Sequence, residues 1–394
     1  MRFFDMFAGC GGLSQGLRLA GWEEASALEL DKAAVNVFRS NFPSTNIECM
    51  DARDFTRSLL SGQLSDETYR NIDLVCGGPP CQGFSNFNRF RSPSDTRNDL
   101  VSYFLESAFA LQPKAILMEN VPGLLSMDDG NVAKGLMTAL EKNGYHASLN
   151  VLQAGGYGVP QNRWRVFIVG IRSEFGRFVA PNPSFAFPKM PLWGATQWRS
   201  SVIAPGREVD LLNKQWSTVQ DAISDLPDLE NGGALTKGKY KSKPSGWYQE
   251  YLRQGSPKFV ENHQTKLLGA LQLERVQNVP HKPMAGWWDL PDHLKPENLK
   301  RHGDKRYENR FGRLWWEGTF NTILTDAHLY WSRVIHPVND RIISVRESAR
   351  AQSFPDAFKF VGSMSEQYRM IGNAVPPLLA KAIGERIANT INSK

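Results

Sequence analysis

An α/β fold built on a parallel, doubly wound sheet is what this sequence predicts, and three features carry the prediction. Short apolar runs alternate with amphipathic stretches from residue 1 to about residue 172. Several runs stop abruptly at glycines or at an acid instead of continuing. The first of them opens directly into Gly9-Cys10-Gly11-Gly12, a glycine turn between a strand and a helix. Strands that alternate with helices favour parallel pairing through helical crossovers, so a Rossmann-like domain is expected.

Taken in order, the predicted strands are Arg2–Phe7, Ala25–Leu30, Ile47–Cys49, Ile72–Cys76, Ala115–Met118 and Val166–Ile171. Helical spacing of apolar residues appears at Leu13–Ala20, Lys32–Asn41, Asp99–Leu111 and Val132–Asn143. Past Arg172 the texture changes: prolines cluster at 181, 183, 188 and 191, and regular periodicity fades until about residue 335. Nine of the eleven tryptophans lie between Trp193 and Trp331, interleaved with the basic stretches 237–243 and 300–306. Cations among aromatics suit phosphate contacts and base stacking, and equally a solvated surface beside an aromatic core. From about residue 336 regularity returns, with helical runs at Val345–Gln352 and Pro377–Asn389.

The 394 residues are enough for two domains and a large core. No apolar run reaches the ~20 residues of a membrane span, and Asp5 comes too early for a signal peptide, so an intracellular protein is expected. The four cysteines (10, 49, 76 and 81) form no Cys-x-x-Cys pair and no histidines cluster, so neither disulfides nor a metal is expected. The net charge of +6 is a mild bias towards polyanions.

Two stretches carry chemistry. Gly77-Gly78-Pro79-Pro80-Cys81-Gln82-Gly83-Phe84-Ser85-Asn86 follows a buried-strand pattern, and its prolines fix the chain just beyond the strand's carboxyl end, where α/β sheets bind ligands. A thiol held there serves as a nucleophile if its proton is removed; the alternative is a structural cysteine. In Asp5–Ser14 the glycines allow close approach to a ligand, but G-x-G-x-x-G is not matched because position 14 is Ser. Glu29 ends the second strand where a carboxylate on ribose hydroxyls belongs, and Asp51, after the third, is placed to accept from an adenine amino group. An adenosine-containing ligand is expected there.

With Cys81 added, the order of features resembles the DNA cytosine-5 methyltransferase family. Phe7–Gly12 is similar to its first motif, Pro79-Pro80-Cys81-Gln82 to its nucleophile motif, and Glu119-Asn120-Val121 to the motif with the base-contacting glutamate. Gln161-Asn162-Arg163-Trp164-Arg165 resembles Q-x-R-x-R. Arg346–Arg350 with Gln352–Pro355 resembles the motif after the recognition region, and Gly372–Pro377 the last motif. The blocks run in the family's order through most of the chain.

The resemblance implies a class I methyltransferase fold with a smaller target recognition domain inserted, so that 1–175 plus 336–394 form the catalytic domain and 176–335 the insert. It implies S-adenosylmethionine as methyl donor, held by Phe7, Ala8, Gly9, Gly11, Gly12, Leu13, Glu29, Asp51, Pro79, Leu100, Asn373 and Val375. It implies Cys81 as nucleophile, Glu119 as the acid at the base's N3 with a raised pKa, and Arg163 and Arg165 as cations at the target base. The partner is double-stranded DNA, with Gln82, Ser85, Arg89, Arg91 and Arg97 contacting it from a loop that closes, and the target base flips out. One site on one chain needs no second copy, so a monomer is expected, in the cytoplasm or nucleoid of a bacterium or in a nucleus. Gly312–Gly318 and Val334–Pro337 look closer to eukaryotic maintenance-type CpG enzymes than to the smallest bacterial ones, which implies a CG-containing target. The competing readings are a catalytically silent DNA-binding homologue, an RNA cytosine-5 methyltransferase and a nicotinamide-dependent oxidoreductase. The RNA branch carries Cys-Phe-Thr in its recognition region, and no cysteine occurs here after Cys81. The oxidoreductase leaves Pro79-Pro80-Cys81 and Gln161–Arg165 unexplained.

Overall fold

The structure is a computed structural model that describes residues 1–64, 66–80, 100–187, 200–203, 215–300 and 309–393. The chain forms two compact units: Met1–Tyr157 with Trp164–Lys214 and Val375–Lys394, and Gly158–Arg163 with Gln215–Ala374.

The first unit holds an eight-stranded sheet among the described residues. Its strands are β1 (Arg2–Met6), β2 (Glu23–Glu29), β3 (Asn46–Cys49), β4 (Leu74–Gly77), β5 (Ala115–Asn120), β6 (Tyr145–Gln153), β7 (Trp164–Arg172) and β8 (Val202–Ile203), in the order 3-2-1-4-5-7-6-8. The helices are α1 (Gly12–Leu19), α2 (Lys32–Asn41), α3 (Ala52–Leu60), α4 (Leu100–Leu111), α5 (Asn131–Lys142) and α6 (Pro377–Asn392). Strands 3, 2, 1, 4 and 5 pair in parallel. Every residue of β4 and β5 is buried, which is why both read as unbroken apolar runs ending in a short polar signal.

The core of this unit lies between the sheet and its helices. Phe4, Met6, Val75, Ile116, Met118, Val166 and Ile168 meet Val101, Phe104 and Leu105 of α4, whose apolar residues fall at helical spacing. A side chain such as Phe104, fully buried, contributes about 1.5–3 kcal/mol. Asp31 and Asp51 start α2 and α3, their side chains accepting from the N–H of Ala33 and Arg53. At the sheet's other face α1 packs on α6 so closely that a Cβ on Gly16 would lie 2.3 Å from Ala380 Cβ. Trp22 Nε1 donates to Gly384 O at 3.0 Å, fixing the same contact.

The sheet departs from the predicted strands in two respects. The two-residue β8 was not among them, and neither was β6, although its apolar and polar residues alternate from Tyr145 to Val151. It pairs antiparallel with β7, and β7 pairs antiparallel with β5.

The second unit is built from short elements. Two small ladders, Ala234–Leu235 with His263–Gln264 and Gly312–Arg313 with Arg333–Ile335, stand among helices at Val219–Ile223, Trp247–Arg253, Ala270–Asn278, Val345–Ala351 and Met364–Asn373. Its centre is ionic. Arg350 pairs with Asp225 at 2.5 Å and Asp356 at 2.5 Å, and Arg341 with Glu347 at 2.8 Å, all buried. Burial opposes the ionised Glu347, but the Arg341 guanidinium outweighs it and holds the carboxyl below the usual range. The 336–374 segment belongs to this unit, where the sequence expectation had placed it with the sheet. The physical reason is Val345–Ala351, whose seven residues are all buried and whose arginines are tied to residues 225 and 261. Among the described residues, no helix is long and apolar enough to cross a membrane.

Candidate active site

The carboxyl ends of β1, β2 and β3 present one group of the predicted residues. β1 runs into Phe7, whose φ of 62° is left-handed, a conformation costly for an aromatic residue and frequent at functional turns. Gly9 follows at φ 56°, and a Cβ there would meet nothing within 4 Å, so the turn borders open space. Gly9 N–H donates to Glu29 Oε2 at 2.8 Å and Asp31 N–H to Glu29 Oε1 at 2.8 Å. Burial pushes the Glu29 carboxyl up, and these backbone donors pull it back. The backbone of Leu30 adds a third donor, and the carboxylate's roughly four acceptor sites leave room for one more. Asp51, two residues beyond the Cys49 that pairs with Glu29, caps α3 and pairs with Arg53 at 3.4 Å. Ala8, Gly12 and Leu13 are buried in the turn and the start of α1.

A second group stands at the ends of β4 and β5. The register Gly77↔Met118 brings Gly78 beside Glu119. A Cβ on Gly77 would lie 2.0 Å from Met6 O, so that position needs glycine, and one on Gly78 would lie 3.1 Å from Glu119 Oε2, a tight contact with a side-chain end. Asn120 Nδ2 donates to Pro79 O at 2.9 Å while its Oδ1 accepts from Val121 N–H, which ties the segment leading to Cys81 to β5. Across the antiparallel β5–β7 pair, Arg165 Nε donates to Glu119 Oε1 at 2.8 Å, with both side chains about 10% exposed (10% and 11%). Burial lowers the Arg165 guanidinium's proton affinity and Glu119 restores part of it.

Other predicted residues fall elsewhere. Arg163 lies in the second unit, fully buried, donating to the carbonyls of Ile323, Gly372 and Ala374 at 2.7–3.1 Å. Gln161 is spent in the same interior, on Ala351 O and Gln352 Oε1. Leu100 packs partly buried at the start of α4. Asn373 is exposed at the end of its helix in the second unit, and Val375 is buried in the first. Cys81, Gln82, Ser85, Arg89, Arg91 and Arg97 lie outside the described residues. Of the other cysteines, burial pushes the Cys10 thiol up to about 12 and Cys76 well above its ordinary value, so neither is a thiolate at neutral pH. No His/Cys/Asp/Glu group among the described residues is arranged to hold a metal.

The comparison with known proteins follows this geometry. A model of C-5 cytosine-specific DNA methylases matches residues 1–389. The chain belongs to that family. DNA (cytosine-5)-methyltransferase 1A of Oryza sativa is 32% identical over 99% of this chain, and DNA (cytosine-5)-methyltransferase 1 of Gallus gallus 31% identical over 100%. The family member described here spans 28% and 30% of those two relatives' lengths. Both are eukaryotic, as the resemblance in the 312–337 region implied. The crystal structure of a candidate DNA modification methyltransferase encoded within an E. coli prophage superposes with a TM-score of 0.73 at 25% identity, covering 100% of this chain and 99% of that one. The S. pombe Dnmt2 methyltransferase, at a TM-score of 0.57 and 15% identity, shares the fold.

Three features of this site escaped the sequence reading. Gly78 was read only as the end of a strand, and Asn120 only as part of a motif. The buried Asp5–Ser14–Glu24 contacts had one signal, the serine standing where a glycine fingerprint would continue.

Proposed function

We propose that this chain is a DNA (cytosine-5)-methyltransferase that methylates C5 of a cytosine flipped out of duplex DNA, at a CG-containing site. The observation that carries the reading is the Glu119–Arg165 pair set against Gly78, three residues before Cys81 in the sequence. Cytosine C5 is neither acidic nor nucleophilic enough to react by itself. The Cys81 thiolate adds to C6, forming the S–C6 bond and moving the C5–C6 π electrons to C5, which becomes enamine-like. Glu119, protonated when it acts, relieves the charge arriving at N3, and Arg165 holds its carboxyl in place. Once C5 has used that electron pair to bond a methyl group, loss of the C5 proton to water returns electrons to the ring and expels the Cys81 sulfur.

S-adenosylmethionine, when bound, supplies an electrophilic methyl group. The residues present fit it: Gly9 opens on free space, Glu29 keeps one acceptor site for a ribose hydroxyl, and Asp51 stands after the next strand for the adenine amino group. Phe7, Ala8, Gly11, Gly12, Leu13, Pro79, Leu100, Asn373 and Val375 complete the proposed donor seat. Gln82, Ser85, Arg89, Arg91 and Arg97 are proposed to contact the DNA. The catalytic part is assigned to both ends of the chain and target recognition to the 176–335 region.

The test uses duplex DNA with 5-fluorocytosine at CG sites, where fluorine cannot leave as a proton does. A denaturant-stable adduct, absent in Cys81→Ser, is expected. No adduct on CG duplex or on a randomised fluorocytosine library would put a silent DNA-binding homologue in its place.

A further inference from the structure

Beneath the glycine turn lies a hydrogen-bond chain that the reaction above does not use. Ser14, completely buried near the start of α1, places its hydroxyl 2.7 Å from Asp5 Oδ2 and 2.5 Å from Glu24 Oε1. Asp5 is 1% exposed and Glu24 8%. A hydroxyl has one proton to give, yet it sits at hydrogen-bond distance from two carboxyl groups. Two ionised carboxylates would leave one of those contacts without a hydrogen, in a site where repulsion is little screened. One carboxyl therefore carries a proton and donates to Ser14.

The surroundings decide which. Glu24 Oε2 accepts from Arg18 Nε at 2.8 Å, and Arg18 is held in turn by Thr45 Oγ1. Asp5 has no cation. Its Oδ1 is buried with no hydrogen-bond partner, Glu24 and Glu29 add negative charge nearby, and the Cys76 thiol opposes this as the smallest contribution. Burial pushes Asp5 far above the usual carboxylate range, more than it does Glu24.

We propose that Asp5 is held as the neutral acid and that the chain Asp5–Ser14–Glu24–Arg18 positions the glycine turn for the donor. Asp5 lies four residues before Gly9 on β1, and Ser14 three residues after Gly11 on α1, so their bond braces the turn from both ends. Asp5 is a positioning residue in this scheme. The donor part rests on the proposed function; the protonation part does not.

The experiment has two arms, both on the full chain. Infrared spectra of the donor-free protein at neutral pH should show a protonated-carboxyl carbonyl band that Asp5→Asn removes. No such band, or its loss in Glu24→Gln and persistence in Asp5→Asn, overturns the proposal. In calorimetric titration with S-adenosylmethionine, Asp5→Ala and Ser14→Ala should each weaken binding about tenfold, the scale of one buried hydrogen bond left unmade. Asp5→Asn, which can donate to Ser14 without charge, should bring affinity back to within about twofold. Should Asp5→Ala not fold, by circular dichroism, Ser14→Ala and Asp5→Asn carry the comparison. An Asp5→Asn chain as weak as Ser14→Ala means that the charge is needed and overturns the proposal. A wild-type chain that shows the band but binds no donor refutes the donor seat and the positioning part together.

Discussion

Removing the Arg165 side chain asks most of the site. Arg165 Nε and Glu119 Oε1 are 2.8 Å apart with nine-tenths of each side chain buried. At an effective dielectric of about 20 their gross attraction is about 6 kcal/mol. Desolvation of both groups consumes much of that, but it is not recovered when only one partner leaves. Arg165→Ala then costs about 3–5 kcal/mol of stability, towards the lower figure because some solvent reaches the pair. In the reaction Glu119 loses its orientation, so transfer under single-turnover conditions should fall about 10²-fold or more, while donor affinity stays within about twofold because the glycine turn is untouched. The decisive assay is a double-mutant cycle with Glu119→Gln. Residues acting as a unit lose little more together than singly. If Arg165→Ala/Glu119→Gln loses the product of the two single losses, the pair does not act as a unit and the reasoning is wrong.

Neighbouring glycines should separate fold from chemistry. Gly77→Ala drives a Cβ to 2.0 Å from a backbone oxygen and should leave little folded protein, whereas Gly78→Ala meets only the Glu119 carboxylate at 3.1 Å and should fold normally with transfer about tenfold slower; equal soluble yield of the two would contradict this. Glu29→Ala should raise the donor dissociation constant about 10–100-fold in calorimetry, since it removes both the acceptor and the brace on Gly9 N–H, and unchanged affinity would remove Glu29 from the seat. Asp5 also makes a prediction with a definite sign. Its folded-state proton affinity is raised, so the folded chain binds a proton that the unfolded chain releases, and its contribution to stability falls as pH rises above the ordinary carboxylate range. Relative to Asp5→Asn, the wild type should lose up to about 1.4 kcal/mol per pH unit between pH 5 and 8 in urea denaturation. A flat difference would show that Asp5 is not protonated.

The parts of the fold that were legible are those where one cause dominates. β4 and β5 are buried on every side, so their apolar runs could be read directly. β6 was passed over although His146, Ser148 and Asn150 alternate with Tyr145, Ala147, Leu149 and Val151, the period of two of a strand. The second unit was opaque for a different reason. Charged residues are rarely buried, so nothing in the sequence marks Arg341, Arg346, Glu347 and Arg350 as interior, yet all four are buried and paired there. In the site, Glu119 and Arg165 were identified together from sequence motifs. The fate of Arg163 was not legible, because nothing local shows that the chain changes units between residues 163 and 164.

The packing of α1 on α6 sets a schedule for the nascent chain. Trp22 and its acceptor Gly384 are separated by 362 residues, so the helix that follows the glycine turn leaves the ribosome long before the helix that covers it. At about 5–20 residues per second that interval is roughly 20–70 s. During it Leu17 and Gly16 have no native neighbour on that side. A polypeptide released before Gly384 is made therefore exposes an apolar helix face to chaperones and proteases.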